Sequence, residues 1–189
     1  HSPFGRAVLE DAAKDGYTLI FENQRDSCGF CDKESKIIAL NPVLSDELLT
    51  ATLAHESRHA QQFARGAEDA FGVFNLRSEL MYTRAMEADA MAHECAAVYQ
   101  MRRAEPETYK AFCERHGGIM KAYETSFEAQ KDSAAARREA FKAWYDHAEY
   151  VELYDRATVD FMAMGSFHSG AYKKEIAPQK MSENIGYVE

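Results

Sequence analysis

The sequence predicts an α+β fold in which a small antiparallel or mixed sheet packs on a predominantly helical body. Two patterns favour this class. Residues 17–21 and 35–40 are β-rich and are separated by turn-forming residues. From residue 46 to about residue 164, apolar residues recur mostly at helical spacing. The chain is therefore expected to place its strands near the N-terminus and its helices after them.

Length and composition predict one domain. With 189 residues, of which 46% are hydrophobic, the chain can bury one sizeable core but is short for two. By pattern, this domain over residues 1–189 comprises a motif-bearing core (17–103), a helical C-terminal part (104–164) and a tail (165–189).

Charge and hydropathy exclude some functions. The formal charge of −9, from 31 acidic and 22 basic side chains, opposes binding to nucleic acid. No apolar run approaches the roughly 18 residues of a membrane span, and no targeting segment stands in the chain as given, which begins at His1. We expect a soluble chain, and the sequence predicts no compartment.

The N-terminal elements follow from local signals. Apolar residues at helical spacing predict a short helix from Pro3 to about Lys14, and two strands follow at residues 17–21 and 35–40. Asn41-Pro42 ends the second strand, and Ser45 or Asp46 then caps a helix that runs to Gly66.

The second half is predicted to be helical. A loop at residues 66–75 leads into a long helix from about Arg77 to Arg103, and Glu105-Pro106 restarts the chain. Further helices are expected to break at Gly117-Gly118 and around Asp132-Ser133, before a tail of low apolar content after Gly165.

The predicted helix from residue 46 carries the strongest chemical signal, His55-Glu56-Ser57-Arg58-His59. Residues four apart on a helix lie about 6 Å apart along the axis and on one face, so His55 and His59 can bind one ion. Zn²⁺ suits such ligands, and the carboxylate of Glu56 lies where it can act as general base toward an attacking water. The alternative interpretation is two histidines on a half-buried helix.

A third ligand must come from elsewhere in the chain. Glu87 on the next predicted helix is the first choice and Asp89 the second, because residues two apart point in nearly opposite directions. Glu79 and His93 are weaker candidates on that helix. Without the upstream motif, Glu87 would be interpreted as a solvated carboxylate.

These residues carry a family resemblance over about residues 17–92. The strand ending Ile38-Ala-Leu-Asn-Pro42, the His55 helix and the acidic helix after it resemble the zincin metallopeptidases, especially the gluzincin group, and small bacterial domains predicted to be metallopeptidases. The resemblance implies a zincin-like domain with Zn²⁺ between two helices. It also implies hydrolysis of a peptide or protein substrate that lies along the edge strand of the sheet.

Two positions depart from the gluzincin pattern. The second helix of that group carries Glu-x-x-Ala-Asp with its first Glu on zinc, whereas here Ala85 precedes Ala88-Asp89, which leaves Glu87 as a shifted ligand or Asp89 as a substitute. Arg58 stands where that group usually has an uncharged residue. Both departures support an alternative, a catalytically silent zincin-fold module that serves in interaction or sensing.

A tetrahedral intermediate also needs a hydrogen-bond donor opposite the metal. The candidate oxyanion stabilisers are His147, Tyr150, Tyr154 and His168. The cluster of aromatic residues from Phe141 to Tyr154 is interpreted as core packing.

Cys28-Gly-Phe-Cys31 has the spacing of a thiol redox pair or of half a zinc site, which Cys95, Cys113 or a histidine could complete. The favoured interpretation is a pair of hairpin cysteines, which would form a disulfide in an oxidising compartment. A thiol oxidoreductase is therefore the weaker alternative function.

Overall fold

A computed structural model describes residues 1–25, 27–67 and 74–166 of the chain. The described residues form six helices and one three-stranded sheet, which confirms the predicted α+β class. The elements are α1 (Pro3–Lys14), β1 (Thr18–Phe21), β2 (Gly29–Asp32), β3 (Ile37–Leu40), α2 (Asp46–Ala64), α3 (Leu76–Met101), α4 (Pro106–Gln130), α5 (Ser133–Tyr145) and α6 (Ala148–Ser166).

Helix α2 begins and ends where the sequence predicts. The side chain of Ser45 caps its N-terminus by accepting a hydrogen bond from the amide of Leu48. Arg65 closes the last turn, and Gly66 follows at φ 90°, a conformation that glycine adopts without the steric cost of a Cβ. These two ends fix the length of the helix that carries the His55 motif.

The sheet is mixed, with strand order β1-β3-β2. Strand β3 lies in the centre, parallel to β1 and antiparallel to β2. Local sequence does not predict β2, because its four residues include Gly29 and Asp32 and resemble a turn. Pairing with β3 makes this segment a strand, and β2 is one edge of the sheet.

Helix α3 is the centre of the helical body, since each of the other five helices packs against it. Many of its residues are alanines, and Ala88, Ala90, Ala92 and Ala96 are fully buried. A helix that is buried nearly all round carries no clear amphipathic stripe, and small residues let neighbouring helices approach closely. The side chains of α3 that face α2 are therefore held rigidly.

Helix α4 is interrupted close to the predicted break at Gly117-Gly118. The interruption is a kink at His116 (φ −128°, ψ 27°), one residue earlier, and the helical segment after it continues as far as Gln130. The predicted break near residue 132 is confirmed, because Lys131 adopts φ 54° and Asp132 caps α5.

The aromatic residues after residue 140 pack as the sequence predicts. Phe141 and Trp144 are buried in the main core, and Tyr150 and Tyr154 pack against it half-buried, whereas Tyr145 is more exposed.

None of the helices in the described part of the chain has the length and hydropathy that a bilayer span requires. The predicted tail after Gly165 lies almost wholly outside the described residues.

Candidate metal centre

Helix α2 presents His55 and His59 toward α3 from consecutive turns. Their rings meet edge to face, with centroids 4.9 Å apart, and each side chain keeps only 11% of its surface exposed. The helical spacing therefore produces the side-by-side imidazoles that the sequence predicts.

Glu87 on α3 faces both rings. Its Oε2 lies 3.3 Å from Nε2 of His55, and its Oε1 lies 3.5 Å from Nε2 of His59. Bonds of about 2.0 to 2.1 Å in a tetrahedral zinc site place neighbouring ligand atoms roughly 3.3 Å apart, so the observed separations suit one ion. One ligand atom from each of the three residues lies within 4.8 Å of the others, and these residues form a possible metal site.

The charges of this group favour a bound cation. Burial by itself lowers the pKa of His55, but hydrogen bonds to Glu87 and Glu94 outweigh burial and raise that pKa well above its usual value. Burial likewise opposes ionisation of Glu87, yet His59 and His55 lower the pKa of its carboxyl far below the usual range. The carboxylate stays ionised, and the site stabilises positive charge, whether carried by protons or by a metal ion.

Glu56 is buried beside the two histidines. Burial raises the pKa of its carboxyl, while His55 and His59 act in the opposite direction. Strand β2 passes directly above it, since a Cβ on Gly29 would come within 3.2 Å of Cγ of Glu56 and 2.7 Å of the Ala39 carbonyl oxygen. Glycine at position 29 therefore lets the edge strand approach the helix that carries the motif.

These side chains open into a cleft of about 300 Å³ between β2, α2, α3 and α6. His55, Glu56, His59 and Glu87 lie on its floor, and Phe30 and Phe63 contribute apolar walls. The other residues that line the cleft are Ser27, Gly29, Cys31, Glu79, Tyr82, Thr83, Met86 and Tyr154. A cleft with apolar walls and a few converging polar groups is typical of a small-molecule or peptide site.

The outer nitrogens of the two histidines have different partners. Nδ1 of His55 lies 3.0 Å from Oε2 of Glu94, and Nδ1 of His59 lies 2.7 Å from Oε1 of Gln62. Such partners orient a ligating ring. Neither residue is among the sequence-predicted site residues, although Glu94 lies seven residues after Glu87 and so on the same helix face.

The second-choice ligand, Asp89, does not belong to this group. It is fully buried and accepts hydrogen bonds from Arg58 Nε at 2.7 Å and from Gln62 Nε2 at 2.6 Å. His93 pairs with Asp89 instead of facing the cleft group, at 3.2 Å from Oδ1. Glu79 lines the cleft but uses Oε1 to accept a hydrogen bond from the amide of Phe74.

The structure separates the candidate oxyanion stabilisers. Tyr154 lines the cleft and hydrogen-bonds to Glu87. His147 and Tyr150 do not line it: their rings stack with centroids 4.0 Å apart, and the Tyr150 hydroxyl lies 2.5 Å from Nδ1 of His116. His168 lies outside the described residues.

Cys28 and Cys31 are free thiols and form no disulfide with each other. Cys31 lies in β2 and lines the cleft, where burial and the charge of Glu56 raise the pKa of its thiol. A thiol redox pair needs a lowered pKa, so these surroundings argue against the oxidoreductase alternative. In the described part of the chain, no cysteine belongs to a candidate metal-binding group.

A comparison with protein families agrees with this geometry. The model of a family described as "Putative metallopeptidase family (DUF6782)" matches residues 1–186. Comparisons with curated proteins and with solved structures found no match. The match spans nearly the whole chain and includes both helices of the possible metal site, so the chain belongs to this metallopeptidase family.

Proposed function

We propose that this protein is a zinc-dependent metallopeptidase in which Glu56 acts as general base. The observation that carries the proposal is the position of Glu56, whose buried carboxylate lies in the same cleft as His55, His59 and Glu87. Membership of the metallopeptidase family supports peptide-bond hydrolysis over that of another amide.

The three ligand side chains suit zinc. Two imidazole nitrogens and one carboxylate make the three-ligand set of many catalytic zinc sites, which leaves a coordination position free. When bound there, such an ion supplies Lewis acidity toward a carbonyl group and lowers the pKa of water. The proposal therefore assigns the metal to His55, His59 and Glu87.

The proton transfers belong to Glu56. Its carboxylate accepts a proton from the attacking water and delivers it to the leaving amine, so the same group acts first as base and then as acid. Burial raises the pKa of this carboxyl and makes its carboxylate a stronger base than an exposed glutamate.

The proposal assigns contacts with the substrate to Tyr154 and to strand β2. The Tyr154 hydroxyl lies near Glu87 in the cleft, where it can donate a hydrogen bond to the oxyanion that develops on the substrate carbonyl. Strand β2 is a sheet edge and contributes Gly29, Phe30 and Cys31 to the cleft. An extended peptide can pair with its free backbone groups and so present its scissile bond to Glu56.

The test compares Glu56→Gln with the wild type and with Glu47→Gln, a matched change at an intermediate-exposure position on the same helix. We expect the Glu56→Gln variant to keep its zinc, measured by elemental mass spectrometry, and to lose cleavage of a peptide library. Glu47→Gln should retain both properties. Persistent cleavage by Glu56→Gln would exclude Glu56 as the base, and zinc without any cleavage by the wild type would favour the silent-module alternative.

A further inference from the structure

The amide of Gln62 connects the His59 ring to a buried charge pair. Gln62 is fully buried, and its Oε1 lies 2.7 Å from Nδ1 of His59. Its Nε2 lies 2.6 Å from Oδ2 of Asp89 and 3.0 Å from the carbonyl oxygen of Met86. One side chain on α2 thus spans from a candidate metal ligand to the backbone and a carboxylate of α3.

The partners of this amide fix its orientation. Asp89 Oδ2 and the Met86 carbonyl both accept hydrogen bonds, so the NH₂ end of Gln62 must face them. A flipped amide would place its oxygen against two other acceptors, with no proton between them. The oxygen of Gln62 therefore faces His59, and because an amide oxygen only accepts, Nδ1 of His59 must carry the proton.

Arg58 holds Asp89 in the state that this arrangement requires. Its Nε donates to Asp89 Oδ2 at 2.7 Å, and the side chains of Arg58 and Asp89 are 2% and 0% exposed. Because an arginine N–H always donates, the Oδ2 oxygen that receives it acts there as an acceptor. Asp89 therefore remains an acceptor and cannot donate to Gln62.

We propose that Gln62 is a positioning residue for metal binding, which holds His59 with its proton on Nδ1 so that only Nε2 is available to the ion. Arg58 and Asp89 fix the amide of Gln62 and act on His59 through it. The inference rests on the metal-site half of the proposed function and is independent of catalysis. It also gives a role to Arg58, which departs from the gluzincin pattern, and to Asp89, which matches only the end of that pattern.

The first test is the zinc dissociation constant, measured by competition with a chelator of known affinity. Gln62→Met keeps the length of the side chain but removes its hydrogen bonds, and we expect zinc affinity to fall by about 10- to 100-fold. Gln100→Met is the matched control, because Gln100 also joins two helices through hydrogen bonds, to Ser2 and Phe4, but contacts no residue of the metal group. An unchanged affinity in Gln62→Met, or an equal loss in both variants, would overturn the proposal.

The second test needs no variant and therefore does not depend on the folding of Gln62→Met. Nitrogen-15 NMR of the zinc-loaded wild type identifies the ligating nitrogen of each histidine. We expect zinc on Nε2 of His59 and a slowly exchanging proton on Nδ1, whereas zinc on Nδ1 would overturn the inference. Neither readout requires turnover, so a protein that gives both expected results without cleaving peptides would contradict the proposed function alone.

Discussion

Arg58 lies between His55 and His59 in the sequence but does not belong to the possible metal group. A charged residue between two candidate ligands suggests a disturbed site, yet its side chain turns away from the cleft and lies buried against Asp89. Its NH1 also donates to Gln61 at 3.0 Å. A buried ion pair of this kind is weak evidence for stability, since desolvation offsets much of its attraction. What it provides is a fixed carboxylate beside Gln62.

His116 is the residue whose titration should be visible in the stability of the fold. Burial lowers its pKa to about 4, although Glu94 acts in the opposite direction, and its Nδ1 shares a hydrogen bond with the Tyr150 hydroxyl. In the unfolded chain the ring has its ordinary pKa of about 6.5. Because the folded pKa is the lower one, the unfolded state binds the proton more readily at acid pH. This contribution to stability is therefore lost as the pH falls from about 6.5 to about 4.

We predict that His116→Asn reduces this acid loss, since the asparagine amide can keep a hydrogen bond with the Tyr150 hydroxyl but does not titrate. Between about pH 7 and about pH 4, the wild type should lose up to about 3 kcal/mol more unfolding free energy than the variant. Urea unfolding across this range measures the difference. Parallel losses in both proteins would show that His116 is not neutral in the folded state.

At the scale of elements, α6 depends on few contacts. It packs on α3 and α5. Arg84 of α3 also forms a bidentate ion pair with Asp155 of α6, in which Nε lies 2.6 Å from Oδ1. The neighbouring residue Tyr154 lines the cleft, so this pair also fixes the part of the cleft wall that α6 contributes. Because the two partners keep 31% and 29% of their side-chain surface exposed, the pair should contribute no more than about 1 kcal/mol.

We predict that Arg84→Met loosens α6 without unfolding the rest of the chain. Amide hydrogen exchange should become faster over Ala148–Ser166 and stay unchanged in the centre of α3, because local opening requires less energy than global unfolding. Arg156→Met is the matched control, since among the described residues Arg156 forms its ion pair with Glu152 alone, on the same exposed helix face. Equal exchange in all three proteins would mean that apolar packing alone holds α6.

The elements differ in how well local sequence predicts them. α1 and α2 have capping residues and breakers at their ends, and their observed bounds agree closely with the prediction. Strand β2 has no such signal, because its identity depends on pairing with β3 across several residues of chain. The predicted break at Gly117-Gly118 is a kink at His116, one residue from the position that the glycines indicate.

Across the whole molecule, the site residues also divide into those that local sequence predicts and those that depend on tertiary packing. His55, Glu56 and His59 follow from spacing on one helix, which is local information. Glu87 comes from another helix, and the packing of α3 on α2 confirms it as the first choice over Asp89. The contacts of Glu94 and Gln62 with the two rings depend in addition on the orientation of each histidine side chain, which spacing alone does not determine.

We expect the fold that holds these residues to form without the metal. The main core is built around α3 from residues such as Phe112, Tyr123 and Trp144, and the Arg58–Asp89 pair joins α2 to α3 beside the site. A metal ion would therefore bind to a site that is already formed, unlike the ion of a zinc finger.

We predict a cooperative thermal transition without metal and a higher Tm with zinc. Free zinc at about 100 times its Kd should stabilise the fold by about 2.7 kcal/mol. For a chain of this size, that gain raises Tm by roughly 5 to 10 °C. Circular dichroism melting with zinc and with excess chelator measures the shift, and Glu87→Gln should lose most of it because one ligand becomes a neutral amide. A chelated protein without a cooperative transition would instead make the metal part of the fold, since packing around α3 would then be insufficient by itself.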